Sequence, residues 1–173
     1  MLAIVMCGGK GSRLGYAEKP MINVGGKRLI DFTIKELEYA GVDAIFVTSP
    51  FTPFTEKYLL ETGFEVFRGG GEGYMEDLFL TIEKNGIVFP VLTMNSDLYI
   101  IREGILTEFV KAYMRSSFPA LSCIFKNGKA VGINAFDPLL GKQEEEKFII
   151  DEGDVINIDT FDDLRRAENG RVL

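Results

Sequence analysis

The chain contains no histidine among its 173 residues. That absence removes Ser-His-Asp and Cys-His catalysis and every zinc site built on imidazole. Cysteine is scarce as well: Cys7 and Cys123 stand far apart and form no metal-type pair, so both are expected to be buried, reduced thiols. No apolar run approaches the roughly 20 residues that cross a bilayer, and Met1 leads directly into an apolar stretch without a leader segment. A cytoplasmic location with no membrane segment is the expectation. Basic charge is also in deficit. Nineteen Lys and Arg against 26 Asp and Glu leave a net charge of −7, which argues against a nucleic-acid partner. What remains suits a globular fold, because 46% hydrophobic residues are too many for a disordered chain. With no repeat, low-complexity tract or linker, one domain over residues 1–173 is expected, and a homodimer is left open.

The charge is unevenly spread. Residues 1–30 carry Lys10, Arg13, Lys19, Lys27 and Arg28 against a single acid, Glu18. Residues 2–6 read as a short buried strand that stops at glycines. Gly8, Gly9 and Gly11 free the following backbone to curl and present its N–H groups, and Lys10, Arg13 and Lys19 add cations within ten residues. A strand that ends in a glycine-rich cationic turn is suited to a polyphosphate. The alternative is a surface turn with solvated charges, which also remains for Lys27 and Arg28. The spacing is not that of a P-loop. Nor is it the dinucleotide fingerprint, whose sixth position, counted from Gly9, is Leu14 rather than glycine.

Apolar strands alternate with amphipathic helices, the pattern of an α/β fold: a three-layer, Rossmann-like, mostly parallel twisted sheet with helices on both faces. Helices are predicted over residues 29–40, stopped by Gly41; from Pro53, capped by Thr52; over 74–84, with Met75, Leu78, Phe79 and Ile82 facing the core; and around Leu106, Phe109, Val110, Tyr113 and Met114. Strands are predicted over residues 44–48, 64–67, 89–94 and 155–158, and over 120–125 and 130–136 as a hairpin joined by Asn127-Gly128. Residues 144–146 read as a solvated charge run. Thr160 opens a last helix, with Asp163 completing a capping-box-like start.

Three further places carry chemistry. Asp97 follows a buried strand in Asn95-Ser96-Asp97, at the carboxyl edge where open α/β sheets bind ligands. One carboxylate there, beside a triphosphate loop, is what Mg²⁺ needs, since it keeps several waters and takes one or two carboxylates plus phosphate oxygens. A polar turn or helix cap is the alternative. Asp159, at the end of the last strand, is the candidate second ligand, against a role in capping the helix at Thr160. Residues 69–77, Gly-Gly-Gly-Glu-Gly-Tyr-Met-Glu-Asp, join a strand to a helix N-terminus, so their amides can face an anion or a base. Glu72, Glu76 and Asp77 there also complement the macrodipole.

Gly8, Gly9, Gly11, Arg13, Lys19 and Pro20 follow a Gly-Gly-x-Gly/Ser-x-Arg turn with a Lys and Pro beyond it. This resembles the signature of the GT-A-like nucleotidyltransferases, which activate sugar phosphates, molybdopterin or cobinamide phosphate with a nucleoside triphosphate. Within that superfamily the chain is similar over nearly its whole length to the archaeal-type adenosylcobinamide-phosphate guanylyltransferases. The likeness runs through the segment 73–78, Asn95-Ser96-Asp97-Leu98, Gly132-Ile133-Asn134, residues 156–159, and Asp162-Asp163-Leu164. The resemblance implies GMP transfer from GTP to a phosphorylated acceptor, cobinamide phosphate, with Mg²⁺ as cofactor. It implies Arg13 on the β- and γ-phosphates, Lys19 on the α-phosphate, and Asp97 with Asp159 on the metal. Gly8, Gly9, Lys10, Gly11, Ser12, Gly73, Tyr74 and Asn95 would bind the nucleotide, and Gly132 with Asn134 the acceptor. The short gap from Arg13 to Lys19 is close to that of molybdopterin enzymes, which stand as a rival, with sugar-phosphate enzymes and a non-catalytic GTP-binding module beside them.

Overall fold

A computed structural model describes residues 1–15 and 18–169. The first strand, β1 (Leu2–Met6), is apolar throughout because it is central and covered on both faces. Two 3-10 turns, Ser12–Leu14 and Lys19–Met21, follow it. Next comes a small hairpin of β2 (Asn23–Val24) and β3 (Lys27–Arg28). Then α1 (Leu29–Ala40), β4 (Asp43–Thr48), α2 (Pro53–Glu61), β5 (Glu65–Arg68) and α3 (Tyr74–Lys84) alternate. Beyond them lie β6 (Val91–Asn95), β7 (Leu98–Ile100), α4 (Ile105–Arg115), β8 (Ala120–Phe125), β9 (Ala130–Phe136), β10 (Glu145–Ile150), β11 (Val155–Asn157) and α5 (Phe161–Asn169).

The main sheet has seven strands in the order β10-β8-β9-β6-β1-β4-β5. β9 alone runs against the rest, antiparallel to both β6 and β8, so the sheet is mostly parallel as expected. Side chains alternate between its faces. Ala3 and Val5 of β1, Phe46, Leu92 and Met94 pack with Ile30, Leu37, Leu59, Leu106 and Phe109 of α1, α2 and α4. Ile4 and Met6, with Ile45 and Val47, pack with Leu78 and Ile82 of α3. A third cluster joins Leu14 to Val24, Tyr99, Ile158 and Ala167, fastening the first turn to the two small sheets and α5.

Several local expectations are corrected. Met75 and Phe79 are half exposed, because Asp77, Leu78, Thr81 and Ile82 form the buried stripe of α3. Met114 is exposed at the end of α4. The charge run at 144–146 leads into an edge strand, β10, whose Phe148 and Ile150 reach the core while its acidic start pairs with Ser122 and Lys147. The last strand leaves the main sheet altogether: β11 pairs antiparallel with β7, a strand too short to read from the sequence. Thr52 does not cap α2. Its hydroxyl is taken up with the backbone of Ser49, and the helix amides turn to Glu18 instead.

Candidate active site

The register of the central strands sets the site. Met6 of β1 lies beside Val47 of β4 and Asn95 of β6, so three strand ends open onto one carboxyl edge. The loop after β1 is pinned there at once. Cys7 N–H donates to the Val47 carbonyl at 2.8 Å, and the Ser49 hydroxyl donates to the Gly8 carbonyl at 2.8 Å. A Cβ on Gly8 would stand 3.1 Å from that of Ser49, whereas one on Gly9 would meet nothing within 4 Å. The backbone is therefore tight at its root and open at its crest. Gly11 and Gly15 bracket the Ser12–Leu14 turn with φ of 59° and 66°, values that favour glycine. Buried Leu14 anchors this turn, while Ser12 and Arg13 project into solvent outside the cleft. Lys10 lies 4.8 Å from the centre of the Phe51 ring. Arg28 is not a free cation, because its guanidinium stacks on Tyr58 at 4.1 Å. Tyr16 and Ala17 of the motif lie outside the described residues.

Lys19, Asp97 and Asp159, 140 residues apart in sequence at the extremes, meet in space. Lys19 Nζ lies 2.9 Å from Asp97 Oδ2 and 2.5 Å from Asp159 Oδ1. Desolvation works against the ammonium, yet the attraction and hydrogen bonds of both carboxylates outweigh it and leave the Lys19 pKa raised. At Asp97 burial dominates and pushes the carboxyl up; Lys19 opposes that shift and the Asp159 charge adds to it. Asp97 Oδ1 is buried with no hydrogen-bond partner. Asp159 does not cap α5. Its own N–H and that of Thr160 donate to Asp163, which closes the expected capping box and leaves the Asp159 carboxylate for Lys19. Two carboxylates gathered on one positive charge, one of them with an unused oxygen, fit a hard dication that completes its shell with phosphate and water. No group of three or more His, Cys, Asp or Glu able to hold a metal occurs among the described residues.

The opposite wall is the glycine-rich loop. Asp77, only 5% exposed, accepts the N–H of Gly70 at 2.7 Å and that of Gly71 at 3.1 and 3.2 Å. Those two amides are consequently aimed at a protein carboxylate rather than at a ligand, which corrects the expectation for this loop. A Cβ on Gly69 would fall 2.5 Å from Asp77 Cγ, so the loop needs glycine there to wrap the acid. Met6, Gly8, Gly9, Lys10, Gly71, Gly73, Tyr74, Asp77, Asn95 and Asp97 together line a cleft of about 250 Å³. Burial raises the pKa of the Tyr74 phenol, a hydrogen bond with Thr93 opposes it, and the Asp97 charge adds to it.

Gly132 and Asn134 sit on β9 beside this cleft but do not line it. Gly132 has φ of 95°, and a Cβ there would lie 2.5 Å from Asn95 Nδ2, so the missing side chain makes room for Asn95. Asn134 pairs with Thr93 and with Ser122 on the α3 side of the sheet. That face stays open toward the edge, where Ile149 of β10 is 59% exposed. Sequence reasoning gave Asp77 only a helix-dipole role and passed over what Ser49 and Glu18 do. Only Asp77 offered a signal, an acid eight residues after the first of three consecutive glycines that need an acceptor.

Residues 3–142 match the MobA-like NTP transferase domain family. The chain is 34% identical to the adenosylcobinamide-phosphate guanylyltransferase of Methanocaldococcus jannaschii, with 97% of this chain and 96% of that protein covered. Among solved structures, a Mycobacterium tuberculosis protein superposes with a TM-score of 0.80 at 14% identity, covering 98% of each chain. A Bacillus anthracis protein assigned as a glucose-1-phosphate thymidylyltransferase, solved with sucrose, superposes at 0.77 and 16% identity, covering 100% of this chain and 96% of its own. These two likenesses bear on the fold alone. The glycine-rich turn, the Lys19 ammonium and the carboxyl-edge aspartates thus sit in a nucleotidyltransferase fold, and the chain belongs to the MobA-like NTP transferases and, among them, to the adenosylcobinamide-phosphate guanylyltransferase family of enzymes.

Proposed function

We propose that the chain transfers GMP from GTP to adenosylcobinamide phosphate, giving adenosylcobinamide-GDP and pyrophosphate, a step of cobalamin biosynthesis. The end-to-end similarity to the Methanocaldococcus jannaschii enzyme carries this reading. The acceptor's phosphate oxygen attacks the α-phosphorus of GTP while the bond to the bridging oxygen breaks, and pyrophosphate leaves with the electron pair. No protein nucleophile is needed, which suits a chain without histidine. Catalysis is then positioning and charge compensation.

In this reading Gly8, Gly9, Lys10, Gly11 and Ser12 wrap the triphosphate, helped by the open space above Gly9. Arg13, free in solvent on its turn, closes on the β- and γ-phosphates. Lys19 exchanges its carboxylates for the α-phosphate and the charge that develops there. Asp97 and Asp159 would hold Mg²⁺, which when bound supplies further compensation for the triphosphate and the departing pyrophosphate. The base rests between Gly73, Tyr74 and Asn95, where carbonyl oxygens can accept from guanine N1–H and N2–H₂. A bulky acceptor lies along the open sheet face past Gly132 and Asn134. In this reading residues 1–173 form one domain that works in the cytoplasm, with GTP supplied there as donor.

Pyrophosphate release measured with GTP or ATP, against cobinamide phosphate, molybdopterin and glucose 1-phosphate, tests the assignment. Release is expected with GTP and the corrinoid phosphate. Each acceptor left unpaired by adenine costs about 1–3 kcal/mol, so ATP should be at least tenfold poorer. Turnover with glucose 1-phosphate and ATP would overturn it.

A further inference from the structure

Glu18 immediately precedes Lys19, yet its side chain turns away toward a different element. Oε1 accepts the N–H of Phe54 at 3.0 Å, and Oε2 accepts the N–H and the hydroxyl of Thr55, each at 2.7 Å. These are first-turn donors of α2, which Thr52 leaves uncapped and which opens on Pro53, a residue with no N–H of its own. The backbone of Glu18 is fixed at the same time. Its carbonyl accepts the N–H of Met21 at 2.9 Å and so starts the Lys19–Met21 turn, whose exit Ile22 donates to the Lys19 carbonyl at 3.1 Å. Glu18 is therefore held at both ends, by its side chain on α2 and by its carbonyl in the turn.

We propose that Glu18 is a positioning residue for Lys19: by clamping the segment 18–22 onto the N-terminus of α2, it sets the point from which the Lys19 side chain reaches Asp97 and Asp159. A lysine has four rotatable side-chain bonds, so its ammonium is only as well placed as the Cα that carries it. The positive end of the α2 dipole adds to the attraction that holds this side chain there. The proposal rests on the reading of Lys19 as the group that meets the α-phosphate.

The test is a cycle of Glu18→Ala and Lys19→Ala, singly and together, with Glu18→Gln as a variant that keeps one acceptor oxygen. A displacement of about 1 Å can cost up to about a hundredfold in rate, so Glu18→Ala should lower kcat about tenfold or more while KM for GTP stays within about twofold. Glu18→Gln should fall between Glu18→Ala and the unaltered protein. A purely structural cap would lower Tm and leave kcat below the melting range unchanged. In the Lys19→Ala background, Glu18→Ala should still lower Tm but change kcat less than twofold. An equal kcat loss in both backgrounds, or no kcat loss from Glu18→Ala in the protein that keeps Lys19, overturns the positioning role. If Lys19→Ala alone retains full turnover, the reading of Lys19 fails, and the proposal with it.

Discussion

Replacing Asp77 by Ala should loosen the glycine-rich wall of the cleft and weaken nucleotide binding, although no nucleotide atom need touch this residue. Its buried carboxylate organises the loop through the N–H groups of Gly70 and Gly71, at 2.7, 3.1 and 3.2 Å. A hydrogen bond to a charged group contributes about 1.5–3 kcal/mol net. Both amides are partly exposed and regain some water when the acid is removed, so the total loss is about 2–4 kcal/mol rather than the full sum. At about 2–4 °C per kcal/mol for a chain of this length, Tm should fall by roughly 4–16 °C. Gly71 and Gly73 line the cleft, so KM for GTP should rise about tenfold with a smaller change in kcat. Gly69→Ala offers an independent route to the same defect, because its Cβ would stand 2.5 Å from Asp77 Cγ and force the carboxylate out. Since both changes break one contact, the double variant should be little worse than either single one. Thermal melts and pyrophosphate-release kinetics read both effects. An unchanged Tm refutes the capping geometry, and a lowered Tm with unchanged KM refutes this loop as a wall of the nucleotide site.

Lys19→Ala should cost about a hundredfold in kcat, the usual value of one transition-state charge contact, with little change in GTP affinity measured by titration calorimetry; near-normal turnover would return Lys19 to a structural ion pair. Asp97→Asn should keep the fold and abolish Mg²⁺-dependent transfer, whereas Asp159→Asn, more exposed and still able to coordinate through its amide oxygen, should be milder in a Mg²⁺ titration at fixed GTP. The reverse ranking would move the principal ligand to the other strand. Burial pushes both the Cys7 and Cys123 thiols up to about 12 from an ordinary 9.0. Neither should react with a thiol reagent at pH 8 until the chain is denatured. The folded chain holds these protons more tightly than the unfolded one, so their contribution to stability is intact below pH 9 and is lost as pH rises toward 12. Denaturant midpoints over that range should fall less steeply in a Cys7→Ala, Cys123→Ala variant, and equal slopes would contradict the assignment.

Local chemistry alone was enough for the elements whose signals are short-range. The run at 2–6, the helices 29–40 and 74–84 and the Asn-Gly hairpin appear at their expected bounds, because periodicity, glycine stops and turn residues act within a few positions. The glycine-rich turn after β1, Lys19 and Asp97 stood out for the same reason: strand, turn and charge are consecutive in the chain. Tertiary structure decided what depends on which segments become neighbours. β7 is three residues long and exists through pairing with β11, so it makes no strand signal of its own, and β11, expected as a strand, finds that partner only in the fold. β10 begins with two glutamates, and only its place at the open edge of the sheet makes them tolerable in a strand. Glu18 on α2 and Glu36 on α4 supply N-terminal acceptors from 36 and 68 residues away, which no spacing rule anticipates. The grouping of Lys19, Asp97 and Asp159 is the same kind of fact. Each residue type was visible in the sequence, but their convergence required the parallel order of β1 and β6 and the return of the chain through β11, because a charge-compensated site is made by distance in space rather than by distance along the chain.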